Sequence, residues 1–292
     1  MEKKIKIHLN QNKYDWLEFI NRNRSSLGIT KLIVDLDKCK FLEPFHLVSL
    51  ACLLEEYKNN GSDVIFMESD GLALNEYLKK IRFISYWEDN FDRTIFQQNI
   101  NDTNLFLWKL EKTRIYPYSD FARKYFEQQY SNSKDMEPLS IIFAELFNNI
   151  IDHSKSPVSG FTTTQYFPTQ QKIRIAICDL GIGIVESVTQ YLSKKGQSVL
   201  PETAFEKALL KGFSTESTPR NRGYGLDNLL AIVKSNGGKL RIQTNNILYI
   251  YSDCKSQTIK TKFDFTGTHI DVILNIDNFY EKEEQNLDNF DF

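Results

Sequence analysis

The opening third of the chain switches hydrophobic period again and again, and that alternation limits the available folds more than any other feature. "KKIKIHL" alternates at period two like a strand, and "YDWLEFINRNRSS" carries an amphipathic helical pattern. "KLIVDL" is a β-branched run, and "PFHLVSLACLLEEYKNNG" reads as a helix closed by a glycine. "DVIFME" is a further strand and "LALNEYLKKI" a further helix. A βαβαβα order implies a small sheet with helical crossovers.

The rest of the chain follows a different rhythm. Residues 88 to about 112 form a mixed, Asn- and Asp-rich connection, where a domain boundary is expected. "SDFARKYFEQQY" reads as a helix, and a second helix opens at Pro138 after the polar break "SNSKDMEP". "KIRIAICDLG" is a strand ending in a turn. From residue 238 onward, "GKLRIQT", "ILYIYS", "TIKTKFDF" and "THIDVILNI" alternate at period two, which predicts an antiparallel meander. The acidic end, "YEKEEQNLDNFDF", is expected to be a disordered tail or a docking peptide. A length of 292 residues suits two domains, each able to bury a core.

Composition narrows the function. A net charge of −2 gives no general attraction to nucleic acid or to an anionic membrane. Cys39, Cys52, Cys178 and Cys254 are scattered without a CxxC pair, as for reduced, buried cytosolic thiols. The longest apolar run, "FHLVSLACLL", is too short to span a bilayer, and the N-terminus lacks a signal-peptide core. A cytoplasmic protein with neither nucleic acid nor membrane as partner is expected.

One helix poses a question. "AELFNNIIDHS" places Glu145, Asn149 and Asp152 within roughly 60° of one another, opposite Leu139, Phe143, Leu146, Phe147 and Ile150. Asn and Asp are weak helix formers, so this polar wedge faces either plain water or a pocket. Three other segments bear on the choice. In "AICDLGIGI" an apolar strand delivers Asp179 into a turn with Gly181 and Gly183. A carboxylate there can accept from an exocyclic amine such as adenine's, and glycines let a flat ring approach the backbone. In "GFSTESTPRNRGYGLDNLL", Gly223 and Gly225 precede a helix opening at Leu226, a place where backbone N–H groups can hold an anion. In "TGTHIDVIL", Gly267 and Thr268 open the last strand.

Two resemblances follow from these residues. "LIVDLDKCKFLEPFHLVSLACLLEEYKNNGSDVIFMESDGLALNEYLKKIRF" resembles a STAS domain, the fold of bacterial anti-sigma factor antagonists, and implies an α/β domain over residues 1–100. Phosphorylatable members open the second helix with a serine. Pro44 and Phe45 stand there in this chain, with Ser49 a full turn inside. "ELFNNIIDHS", "DLGIGI", "GFSTES…RGYGL" and "GTHIDV" resemble, in order, the N-box, first glycine box, lid with second glycine box, and closing strand of the GHKL ATPases. That resemblance implies an α+β two-layer sandwich with a mostly antiparallel sheet over residues 101–277, followed by the tail 278–292.

The GHKL resemblance also implies roles. Asn149 would coordinate Mg²⁺, and Glu145 would be the catalytic carboxylate. Asp152 would lie on the adenosine side of the pocket. Asp179 would read adenine, supported by Thr268. Gly181 and Gly183 would shape the turn. Ser214, Thr215, Arg220, Arg222 and the amides of Gly223, Tyr224, Gly225 and Leu226 would surround the phosphates of ATP. Asn148 reads as a neighbour and His153 as structural. Glu216 stands where many relatives carry Lys or Arg, which implies slow hydrolysis unless Arg220 or Arg222 supplies the charge. A lid spanning roughly 184 to 222 is expected to move.

The implied function is a Mg-dependent ATP-binding signalling switch with slow ATPase activity. It would meet an unknown protein partner through the STAS-like domain or the tail, and homodimerisation stays open. The alternative is an anti-sigma-type serine kinase acting on a separate protein. A sensor histidine kinase would need a phosphoacceptor on a dimerisation helix. His8 lies in an expected strand, and His46 opens a helix in the wrong domain.

Overall fold

The computed structural model describes residues 1–7, 12–24, 28–67, 72–92, 103, 105, 107–110, 115–130, 133–153, 155–213, 215 and 225–282. The first unit runs β1 (Glu2–Lys6), α1 (Lys13–Arg22), β2 (Lys31–Asp35), α2 (Pro44–Asn59), β3 (Asp63–Met67) and α3 (Leu72–Lys80). Its strands form a parallel sheet in the order β1-β2-β3. Asn12 caps α1 by accepting from the N–H groups of Tyr14 and Asp15. Pro44 opens α2, and Gly61 follows it with a left-handed φ of 81°.

The second unit contains β4 (Trp108–Lys109), α4 (Ile115–Tyr130), α5 (Glu137–His153), β5 (Phe161–Phe167) and β6 (Lys172–Asp179). It continues with α6 (Ile184–Ser193), α7 (Pro201–Ala208), α8 (Leu226–Ser235), β7 (Lys239–Ser252) and β8 (Lys255–Asn275). Its antiparallel sheet runs β4-β5-β6-β8-β7. The expected α/β and mostly antiparallel architectures are therefore both present.

The meander differs from expectation. The four alternating segments after residue 238 merge into one long hairpin, β7 and β8. The apparent break at Asn245 is a bulge, with that residue at φ 48° and the register shifting on both sides. The true turn is Asp253–Cys254, both left-handed, a pair of φ values that suits a tight two-residue hairpin. Cys254 is accordingly exposed, whereas the other three cysteines are buried thiols.

Packing explains the long apolar run. Helices α4, α5 and α8 cover one face of the five-stranded sheet. The other face receives α2, which lies between the two sheets and packs on β5 and β6. Its residues from Pro44 to Glu55 are all buried, so it needs no polar stripe. Phe161, Ala176, Cys178, Leu180 and Phe265 of the second unit join the core of the first. An ion cluster crosses the same boundary. Arg174 holds Asp271 at 2.8 and 2.9 Å and Glu43 at 2.6 Å, while Lys13 reaches Asp271 at 2.6 Å. Burial alone would raise the Asp271 carboxyl, yet Arg174 and Lys13 hold it down to about 2.

Helices α6 and α7 fall within the expected lid and pack on each other and on β7. The start of the expected tail is tied down: Phe279 is buried, and Glu281 bridges to Lys134. Residues 283–292 lie outside the described residues. Among the described residues, no helix is long and apolar enough to cross a membrane.

Candidate functional site

Strand β6 ends at Asp179, which is 1% exposed, and the register of β6 with β8 sets it opposite Thr268. The Gly181 N–H donates to its Oδ1 at 2.7 Å. Burial pushes the carboxyl up to about 7, against the opposing pull of the Gly181 and Thr268 N–H groups and the Arg24 charge. Gly267 must be glycine. Its φ is 137°, and a Cβ would stand 2.2 Å from the Asp179 carbonyl oxygen.

The turn after Asp179 is drawn against β7 by two residues that sequence reasoning missed. Thr244 Oγ1 accepts the Ile184 N–H at 2.8 Å, donates to the Gly267 carbonyl at 3.1 Å and lies 3.3 Å from Thr268 Oγ1. Asn245 donates to the Ile182 carbonyl at 3.0 Å and accepts from the Glu186 N–H. Gly183, at φ 81°, fits beneath them, because a Cβ would lie 2.3 Å from Asn245 Oδ1.

A second cluster lies where α5 packs on α8. The apolar face of α5 is buried as its spacing requires, with Leu139, Phe143 and Phe147 fully inaccessible. Glu145 and Asn149 face the start of α8. Asn149 Oδ1 is 3.9 Å from where a Cβ on Gly225 would stand, and its Nδ2 is buried without a partner. Glu145 is partly buried; that burial, then the nearby Asp227 carboxylate, push its carboxyl up to about 7. Asp227, also missed in the sequence, accepts the Gly225 N–H at 3.1 Å. Leu226 is buried in the core.

The sequence-derived residues thus fall into two groups. Asp179, Gly181, Gly183 and Thr268 share the strand-end turn, and Glu145, Asn149, Gly225 and Leu226 share the α5–α8 contact. Thr215 Oγ1 lies 3.3 Å from Ser187 Oγ on α6. Asp152 and His153 lie in the last turn of α5, their side chains outside the described set. Ser214, Glu216, Arg220, Arg222, Gly223 and Tyr224 lie outside the described residues.

Helix α2 backs the strand ends. Cys52 Sγ donates to the Cys178 carbonyl at 3.1 Å, and His269 Nε2 lies 2.9 Å from the Phe45 carbonyl. Cys178 precedes Asp179 and His269 follows Thr268, so the first unit grips both neighbours of the strand-end pair. Burial holds His269 down to about 3, so the ring is neutral and Nε2 carries the proton donated to Phe45.

No family model matches the chain, and no curated protein matches it in sequence. The fold is that of an α/β protein with a three-stranded parallel sheet and a five-stranded antiparallel sheet.

Proposed function

We propose that this chain is a Mg-dependent ATP-binding protein of the GHKL type, carrying a STAS-like unit on the back of its sheet and acting as a slow ATPase switch. The observation that carries the reading is Asp179. A carboxyl buried to 1% exposure beside Thr268 and destabilised in its charged form carries a desolvation cost that a ligand amine would offset, and this supports the reading.

The α5–α8 contact supports the metal and phosphate side. Asn149 carries an orphaned buried amide N–H and an oxygen directed at the start of α8. Among the described residues, no three of His, Cys, Asp and Glu gather to hold a metal. Asn149 would therefore hold Mg²⁺ only alongside phosphate and water oxygens, as suits this hard cation. Bound Mg·ATP would supply the electrophilic terminal phosphate. The N-terminus of α8 would face its negative charge. Glu145, its carboxyl raised towards neutrality, suits a base that takes a proton from the attacking hydroxyl.

Glu145 equally serves a protein serine kinase acting on a separate chain, with the attacking hydroxyl on the substrate. Purified protein incubated with γ-labelled ATP and a cell lysate separates the readings. Free phosphate supports the switch, a labelled partner supports the kinase, and no ATP retention of any kind defeats both.

A further inference from the structure

A cleft lies beside the last turns of α5. It is an open cleft of about 510 Å³, within the size range of small-molecule sites, where the end of α2, β4, α5 and the loop before β5 meet. Ile150 and Ile151 line it, whereas Asn149 faces α8; successive helical residues differ by about 100°, so one turn serves two surfaces. Leu110 forms another apolar wall. Gly160 packs tightly at the base of the cleft: a Cβ there would meet the Cys178 carbonyl oxygen at 2.9 Å, Ile150 at 3.0 Å and Leu110 at 3.1 Å.

The charge in this cleft is unbalanced. Lys109 is matched by the buried Glu55 carboxylate at 2.6 Å. Lys155 is not matched. Its ammonium donates at 3.4 Å to the neutral Gln190 side chain, and no carboxylate among the described residues pairs with it. Its left-handed backbone, at φ 47°, is the conformation that commonly closes a helix, here two residues past the end of α5.

We propose that this cleft binds a small organic monoanion, its carboxylate against Lys155 and its apolar body on Leu110, Ile150 and Ile151. The proposal is independent of nucleotide binding. Occupancy would be sensed by α2 and α5 together, since both contribute walls.

The test uses the full chain with labelled isoleucine methyl groups, titrated with octanoate, with octylammonium and with Mg·ATP. Octanoate should shift the Ile150 and Ile151 methyl signals saturably, and octylammonium should not. Lys155→Met should weaken octanoate binding about tenfold or more, while Lys155→Arg keeps it. Lys155→Glu should reverse the preference towards octylammonium. Because Lys155 is exposed, these variants should fold, which melting temperatures verify. Absent shifts, charge-blind binding, or unchanged affinity in Lys155→Met would overturn the proposal. So would competition between Mg·ATP and octanoate for the same Lys155-dependent signals, since the cleft would then belong to a nucleotide site.

Discussion

Asp179→Asn should make the protein more tolerant of alkaline conditions while weakening its hold on adenosine. The carboxyl, ordinarily near 3.8, is pushed by burial to about 7 in the folded chain. A carboxyl that binds its proton more tightly when folded contributes most below its unfolded pKa. That contribution drains away as pH climbs from about 4 through 7. At 1.36 kcal/mol per pH unit, the difference between 3.8 and about 7 sets a ceiling of about 4 kcal/mol. Asparagine keeps an acceptor oxygen for the Gly181 N–H, but its new N–H faces the Thr268 amide and takes back about 1 kcal/mol. That cost is the same at every pH, so it lowers the mutant's whole profile without changing its slope: relative to wild type, the mutant should gain up to about 4 kcal/mol between pH 4 and pH 8, and nothing more above that. Denaturant unfolding of both proteins at pH 4, 6 and 8 measures the difference directly. Calorimetric titration with adenosine should show affinity reduced about tenfold or more. Parallel pH profiles in the two proteins would refute the burial argument. Undiminished adenosine binding would remove Asp179 from the site.

Asn149→Ala should abolish Mg·ATP binding by calorimetry, whereas Glu145→Ala should retain it and lose about 10²-fold in single-turnover phosphate release. Asn148→Ala is the control and should keep most of both activities. Gly183→Ala should cost about 2 to 4 kcal/mol in chemical denaturation, since its Cβ meets Asn245 and its φ is left-handed. Asp271→Ala should cost about 3 kcal/mol, the low end for breaking a buried pair, because Glu43 still holds Arg174. His269→Leu, which removes the donor to Phe45, should weaken nucleotide binding about fivefold, and His269→Gln should rescue it.

The elements that the sequence disclosed are those whose period is unambiguous. The βαβαβα rhythm, the buried stripe of α5 and the strand ending at Asp179 follow from apolar spacing alone. Strand β5, "FTTTQYF", carried no such signal, because three consecutive threonines, Thr162 to Thr164, are buried on both faces and erase the alternation. Helices α6 and α7 were hidden inside a segment read as lid, although Pro201 marks a helical first turn. The hairpin was cut into four because Asn245 and Gly267 look like turn residues; only tertiary pairing turns one into a bulge and the other into a close approach. In the site, Asp179 and Thr268 were legible as a strand end and a strand start, but Thr244, Asn245 and Asp227 were not. Thr244 and Asn245 act through contacts at large sequence separation, and Asp227 matters through its approach to Glu145 on another helix. Nothing in local pattern places α2 between two sheets, or Cys52 against Cys178.

The most direct test of ATP binding is isothermal titration of the full chain with a non-hydrolysable ATP analogue, with and without Mg²⁺. The expected result is one saturable site in the range of about 1 µM to 1 mM that needs Mg²⁺ and disappears in Asn149→Ala. Absence of saturable binding at millimolar analogue, or binding indifferent to both Mg²⁺ and Asn149, would contradict it.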